Sequence, residues 1–210
     1  SPSVAARERT LAMSPQGPKK TTNKTRERVF DATARLLKEN GYASLRVRDV
    51  GRLAGLQAGS LYYYVESKEK LVEDGLVAGL ERTHAHVQRR VESLPASYGA
   101  LERLFVAVES HLNIALEISD YAAAYITVLP QVPDELRGRV LAREHAFLEY
   151  WSSLLHNAQQ AGRLRADLDL KVIRTLLVGA LTAAAAASRI ADAETWTRNA
   201  VALVDGLVPR

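Results

Sequence analysis

The segment at residues 46–70 constrains the fold more than any other part of the chain. It reads RVRDVGRLAGLQAGSLYYYVESKEK and combines a glycine between two apolar runs, three successive tyrosines and several basic side chains. Val47, Val50 and Leu53 recur at helical spacing, and Gly55 can supply the left-handed backbone of a tight turn. A second short helix then follows the turn, so the segment predicts a helix-turn-helix.

The second of these helices, over residues 57–64, is the predicted recognition helix. Ala54, Leu56 and Leu61 are expected to pack the two helices together. The remaining side chains are candidates to face a major groove of DNA, namely Gln57, Ala58, Gly59, Ser60, Tyr62 and Tyr63. The small residues at the start of this helix allow its backbone to approach phosphates closely.

Side chains at the end of the segment suit contacts to the DNA backbone. Tyr62 and Tyr63 each carry a hydroxyl that can hydrogen-bond a phosphate oxygen, while Tyr64 is expected to turn toward the core. Ser67 can cap the next helix, whose first amides, together with Lys68, favour an anion.

The charge distribution separates the N-terminal third from the rest. Residues 1–70 hold 14 Lys and Arg against 7 Asp and Glu, whereas residues 71–210 hold 14 against 17. A basic chain can also bind membranes or acidic proteins, but positive charge concentrated on a helix-turn-helix favours nucleic acid.

A family resemblance rests on these residues. GSLYYYVESKEKL after VRDVGRLAGL is similar to the N-terminal signature of TetR-family transcriptional regulators, and the match extends over residues 25–75. It includes a first helix over residues 25–40, stopped by Gly41, whose apolar stripe suits packing behind the hairpin. Three positions depart from the pattern, and they bear on base preference: Gly51, Gln57 and Ala58.

The resemblance implies roles for individual side chains. Arg48 would reach a base edge, since the arginine fork can pair with guanine in two places, although a surface ion pair is the alternative role. Phosphates would be contacted by Thr25, Arg46, Tyr62, Tyr63 and Lys68. Such contacts position the protein on the duplex and weaken steeply with salt.

The remaining patterns predict an all-α chain in three parts. Residues 1–24 resemble a flexible basic arm that either contacts DNA or has no function, residues 25–70 form the three-helix DNA-binding domain, and residues 71–210 form a larger helical domain for ligand binding and dimerisation. Helices are expected near 67–92, 98–118, 120–128, 134–161, 170–190 and 193–207, with prolines, Gly162 and the capping residue Asp192 at the breaks.

The last two helices carry apolar stripes that need a partner surface. The stripe residues are Leu176, Leu177, Ala180, Leu181, Ala184, Trp196, Ala200, Leu203, Val204 and Leu207. A two-fold pairing would bury them in an intermolecular four-helix bundle and place two recognition helices on a palindromic operator. The alternative is that they pack within their own subunit.

The middle helices hold aromatic and polar residues that can line a small-molecule site. The candidates are Phe105, His111, Tyr121, Tyr125, Arg143, Phe147 and Trp151. The TetR resemblance implies an effector there that reorients the two recognition helices and weakens operator binding. The stretch GRLRADLDL, at residues 162–170, looks similar to regulators of fatty-acid or steroid degradation that sense acyl-CoA thioesters.

Other functional classes lack their motifs. No GxSxG, phosphate loop or HExxH occurs, and the chain has no cysteine, so no catalytic site, cofactor or metal is expected. The longest uncharged apolar stretch, residues 175–188, is shorter than the roughly 20 residues of a membrane helix, and a cytoplasmic location is expected. The competing hypothesis is an all-α carrier or storage protein for an apolar ligand, with the hairpin used for protein contacts.

Overall fold

The computed structural model describes residues 18–118 and 120–210, and over these residues the fold is helical without strands. The α-helices are α1 (Pro18–Ser44), α2 (Val47–Leu53), α3 (Ala58–Tyr64), α4 (Lys68–Glu92), α5 (Ala100–Asn113), α6 (Tyr121–Val128), α7 (Asp134–Gln160), α8 (Leu170–Ala184) and α9 (Ala193–Asp205). A π-helical segment, Ile114–Ile118, continues α5, and a 3₁₀ turn, Leu129–Gln131, follows α6. The predicted all-α class is confirmed.

The first helix begins earlier than the sequence pattern predicts. Its bounds are Pro18 and Ser44, so residues 18–24, expected to belong to the arm, are helical. The rest of the predicted arm, residues 1–17, lies outside the described residues. Gly41 breaks the helix with φ 73° and ψ 176°, as expected for a residue that can adopt positive φ without a steric penalty.

Side-chain caps fix the starts of α4 and α9. The Ser67 hydroxyl accepts a hydrogen bond from the Lys70 amide at 3.0 Å, and the Asp192 carboxylate accepts one from the Thr195 amide at 2.7 Å. Each cap satisfies an amide that has no partner within its helix. The capping roles predicted for Ser67 and Asp192 are confirmed.

The helix predicted over residues 170–190 ends at Ala184 instead. Beyond it the backbone tightens into turns, with the Ala186 amide bonded to the Ala183 carbonyl at 3.1 Å. No glycine or proline marks this end in the sequence. Ala185 is buried against Ala115 and Ala123, so tertiary packing rather than helix propensity sets the end of α8.

Two apolar cores organise the molecule. The first joins the helix-turn-helix to α4, α6 and the start of α7, and includes Leu37, Leu61, Leu76 and Val128. The second lies among α5, α7, α8 and α9 around the fully buried Trp151. Because the first core continues across residue 70, the DNA-binding head formed by α1–α3 is packed directly on α6.

No single helix among the described residues is long and apolar enough to cross a membrane. Ala100–Glu117 and Tyr121–Gln131 reach that length and composition only as a pair, with an 84° bend between them. Side chains from both halves, such as Leu104 and Val128, are buried in the two cores.

Candidate DNA-binding surface and effector cavity

The turn between α2 and α3 has the geometry that the glycine pattern predicts. Gly55 adopts φ 69°, and the Leu56 amide donates to the Gly51 carbonyl at 2.8 Å. A β-carbon on Gly51 would lie 2.6 Å from Cδ2 of Leu61, a side chain that is almost completely buried. Glycine at position 51, where the TetR pattern usually has alanine, therefore allows α3 to pack closely on α2.

The expected recognition face of α3 is open to solvent. Tyr62 and Tyr63 are 68% and 82% exposed, large fractions for aromatic side chains. Gln57, Gly59 and Ser60 are also exposed, whereas the structure does not describe the side chain of Ala58. Tyr64 turns inward onto the first core, as predicted.

Two basic residues at the start of α2 are available to DNA. Arg46 and Arg48 are exposed, and neither has an ion pair among the described residues. Arg52 differs, since its guanidinium lies 3.5 Å from Asp49. The alternative role considered for Arg48, a surface ion pair, is therefore not seen in the described part of the chain.

Lys68 is held beside the end of α1. Its ammonium group donates to the Ala43 carbonyl at 3.3 Å and lies 4.5 Å from the ring centre of Tyr42. These contacts position a positive charge at the N-terminus of α4, where the unpaired amides also favour an anion. The arrangement suits the predicted phosphate contact.

Thr25 is a correction to the expected set of phosphate contacts. It is only 8% exposed, so its side chain is not presented on the surface with Arg46 and Tyr63. The cause is the early start of α1: Thr25 lies within the helix rather than in its first turn.

A small, partly open cavity lies where α4, α5, α6, α7 and α8 meet. Its space is about 20 Å³, roughly one water molecule. The lining residues are Leu76, Gly79, Leu80, Thr83, His111, Tyr121, Ala122, Tyr125, Glu144, Phe147 and Thr182. Any larger ligand must therefore displace part of this wall.

Buried polar groups face this cavity without a full set of partners. Nδ1 of His111 has no hydrogen-bond partner among the described residues, and Nε2 of the same ring lies 3.4 Å from the Thr182 hydroxyl. The hydroxyl of Tyr125 lies beside the Glu144 carboxyl group. Burial lowers the pKa of His111 from 6.5 to about 4, so the imidazole is neutral at pH 7. Burial also raises the pKa of Tyr125 and of Glu144.

The cavity brings together four of the residues that the sequence suggested for a ligand site: His111, Tyr121, Tyr125 and Phe147. Trp151 lies behind them, with its ring centre 6.0 Å from that of His111. Phe105 is a correction, and Arg143 lines the neighbouring open groove rather than this cavity. Phe105 packs on the second core, and Arg143 is exposed and paired with Glu81 at 2.9 Å.

Seven of the cavity residues were missed by the sequence analysis, namely Leu76, Gly79, Leu80, Thr83, Ala122, Glu144 and Thr182. Glu144 directly follows Arg143 on α7 and occupies the inward position that the sequence analysis gave to its neighbour. A helical register shift of one residue rotates a side chain by about 100°, which is enough to exchange a buried position for an exposed one.

A larger, open groove runs between α1, α4 and α7. Its volume is about 970 Å³, and its basic lining residues are Arg26, Lys70, Arg82, His86, Arg89, Arg139 and Arg143. Several of these pair with acidic neighbours, as Arg139 does with Glu73 at 2.7 Å. No ion pair of Arg89 occurs among the described residues, and this side chain is exposed.

Among residues 18–118 and 120–210, no cluster of three or more His, Asp or Glu side chains could hold a metal ion.

Two family profiles match the chain over most of its described length. Residues 29–74 match "Bacterial regulatory proteins, tetR family", and residues 98–186 match "Tetracyclin repressor-like, C-terminal domain". The chain belongs to the TetR family. It is therefore a DNA-binding transcriptional regulator and not an enzyme, and the expected resemblance is confirmed.

Relatives of this TetR-family chain include named transcriptional regulators. The fatty acid metabolism regulator protein of Bacillus subtilis is 24% identical over 155 residues, covering 73% of this chain and 77% of that protein. The transcriptional repressor KstR2 of Rhodococcus jostii is 29% identical over 147 residues, covering 70% of this chain and 71% of that protein. The FadR structure of Bacillus subtilis in complex with stearoyl-CoA has the same fold, with a TM-score of 0.73 and 19% identity. The match covers 87% of this chain and 99% of the FadR chain.

The predicted dimer residues of this TetR-family chain divide into buried and accessible groups. Leu181, Ala184 and Val204 are buried in their own subunit, so they are corrections to the expected interface. Leu177, Trp196, Ala200 and Leu207 are half-buried, whereas Ala180 and Leu203 are exposed. Leu176 of the predicted stripe is exposed on α8, and so is Val172, which the sequence analysis did not assign to the interface.

Proposed function

We propose that this TetR-family protein is a cytoplasmic homodimeric repressor that binds a palindromic operator and is released by an amphipathic acyl thioester, of which acyl-CoA is the biological form. The observation that carries the effector part is the small cavity lined by His111, whose buried Nδ1 has no hydrogen-bond partner among the described residues. An apolar ligand with one carbonyl group would supply both an acyl chain for the wall and an acceptor for a buried donor.

The DNA-binding part is supported by the exposed groups of the helix-turn-helix. Tyr62 and Tyr63 offer hydroxyls to phosphates, Arg46 offers a positive charge, and Arg48 has no competing ion pair among the described residues. Phosphate contacts supply affinity, whereas an arginine fork on a base edge supplies sequence preference. Arg48 is therefore the proposed base-reading side chain.

Dimerisation is supported by the accessible apolar face of α8 and α9. Leu176 and Leu203 are 64% and 73% exposed, and Val172 lies one helical turn before Leu176. Exposed alanines and Gly179 on α8 allow a second helix to approach closely. A two-fold pairing would bury this face and give two recognition helices a fixed spacing on DNA.

The charged and apolar features of the effector domain suit the two ends of an acyl thioester. The acyl chain would enter the cavity beside Phe147, and the basic groove between α1, α4 and α7 offers Arg89 to an anionic head group. The named relatives support this class: one regulates fatty acid metabolism, and the related FadR structure contains stearoyl-CoA.

Release of the protein from its operator follows from the small size of the cavity. Because only about 20 Å³ is open, the ligand must bind a conformation with a displaced wall, and it shifts the protein toward that conformation by its preference for it. Thermodynamic linkage requires the operator to oppose effector binding by the same factor.

A titration of the operator complex tests this function. A duplex selected from a random pool is bound, and palmitoyl-CoA, palmitate or CoA alone is added while fluorescence anisotropy follows the complex. We expect palmitoyl-CoA to raise the operator dissociation constant by about 5- to 150-fold, the usual range of allosteric coupling. Thioester binding without any change in duplex affinity would contradict release and would instead fit a carrier.

A further inference from the structure

One side chain of the effector cavity reaches directly into the DNA-binding head. The ring of Tyr121 lines the cavity, and its hydroxyl donates to Oδ1 of Asp31 on α1 at 3.1 Å. The two residues are 90 positions apart in sequence. This hydrogen bond therefore joins α6 to the first helix of the head without passing through α4.

Arg82 of α4 completes the contact. Its Nη1 lies 2.5 Å from the same carboxylate oxygen of Asp31, and its guanidinium lies 5.1 Å from the ring centre of Tyr121. One carboxylate thus receives hydrogen bonds from two helices of the effector domain. A shift of Tyr121 therefore alters the hydrogen bonding of a carboxylate that it shares with Arg82.

The surroundings restrict how Tyr121 can respond to a ligand. On the α4 side it lies against the backbone of Gly79, where a β-carbon would be 2.7 Å from Cβ and Cγ of the tyrosine. It is also the first residue of α6, where a helix end can shift without breaking the helix. A ligand that enlarges the cavity therefore cannot press Tyr121 further onto the α4 backbone at Gly79, so it displaces the tyrosine relative to Asp31 on α1.

We propose that Tyr121, Arg82 and Asp31 form a relay that transmits occupation of the cavity to the DNA-binding head. Tyr121 senses the ligand, Arg82 couples the movement to α4, and Asp31 carries it into α1. The proposal rests on the proposed release by an effector, and it names the residues through which that release occurs.

The chain offers a matched control at the same pair of helices. Lys38 of α1 pairs with Asp120 at 2.7 Å, immediately before α6, and this ion pair also joins the head to the effector domain. Asp120 does not line the cavity. Asp120→Asn therefore removes a contact between head and effector domain without touching the proposed relay.

The test compares a release factor between variants, defined as the operator dissociation constant with saturating palmitoyl-CoA divided by the constant without it. The operator dissociation constant is measured with and without saturating palmitoyl-CoA for the wild type, Tyr121→Phe, Asp31→Asn and Asp120→Asn, and calorimetry measures thioester binding to each protein. We expect the release factor to fall by about fivefold or more in Tyr121→Phe and Asp31→Asn, the size of effect that loss of one ordinary hydrogen bond produces. Asp120→Asn should keep the wild-type factor.

Each outcome separates this proposal from the proposed function. If the wild type is released and Tyr121→Phe is released by the same factor, the relay is overturned while the repressor function stands. If no thioester binds the wild type, the effector class is wrong, and the relay is tested without a ligand. In that case operator affinity is measured for Tyr121→Phe, for Asp31→Asn and for the double variant. The change in the double variant must differ from the sum of the two single changes, and a simple sum would overturn the relay.

Discussion

Gly79 and Tyr121 touch so closely that no other residue fits at position 79 without movement. A β-carbon there would lie 2.7 Å from Cβ and Cγ of the tyrosine, which are rigidly connected to the backbone of α6. Since both residues line the effector cavity, this contact fixes the distance between α4 and α6 at the site where a ligand would enter.

Gly79→Ala should destabilise the protein, because the added methyl group must push α6 away. Overpacking of this kind costs about 1–3 kcal/mol, more than the gain of about 1 kcal/mol from replacing a helical glycine with alanine. Gly138→Ala is the matched control, since Gly138 is also helical and a β-carbon there meets no atom within 4 Å. Urea unfolding should show a lower free energy of unfolding for Gly79→Ala and a higher one for Gly138→Ala. Equal increases in the two variants would contradict the close contact.

The neutral His111 should make stability depend on pH. Its pKa is about 4 in the folded protein and 6.5 when exposed, so the unfolded chain binds the proton more readily. The free energy of unfolding should therefore fall as pH decreases from about 6.5 to about 4, by at most about 1.4 kcal/mol per pH unit. Above pH 6.5 this contribution is fully present.

His111→Gln isolates this effect from that of Glu144, whose raised pKa acts in the opposite direction. Denaturant titrations at pH 7.5 and pH 4.5 should show that the free energy of unfolding falls less between these two pH values in the variant than in the wild type. Identical pH dependence in the two proteins would mean that His111 is not held neutral by burial.

Substitutions on α8 and α9 should separate the subunits. Leu176→Asp together with Leu203→Asp places two charges on the exposed apolar face, where pairing would have to bury them. We expect a dimer-to-monomer shift in analytical ultracentrifugation and a loss of operator affinity. Leu141→Asp, on the exposed side of α7, serves as the control. A double variant that remains dimeric would place the interface elsewhere.

The local pattern around the turn predicted the local structure of the helix-turn-helix well. Gly55 at positive φ, the inward Tyr64 and the Ser67 cap all follow from interactions within a few residues. Such short-range rules need no knowledge of the rest of the fold. Helix propensity was equally informative for the class of the whole chain.

The sequence predictions fail where contacts between distant parts of the chain determine which side chains are buried. Ala184 was assigned to a dimer face, but α8 ends there and packs into its own subunit. Arg143 and Glu144 are adjacent, and only the packing of α7 on α4 shows which of them faces the cavity. The contact between Tyr121 and Asp31 spans 90 positions, so no sequence period could reveal it.

The most direct test of the account is selection of bound duplexes from a random-sequence pool, followed by a salt series with the wild type, Arg46→Ala and Arg48→Ala. We predict an enriched inverted repeat, a relaxed base preference for Arg48→Ala, and uniformly weaker binding with a smaller salt slope for Arg46→Ala. No enrichment at any salt concentration would contradict sequence-specific recognition by the helix-turn-helix.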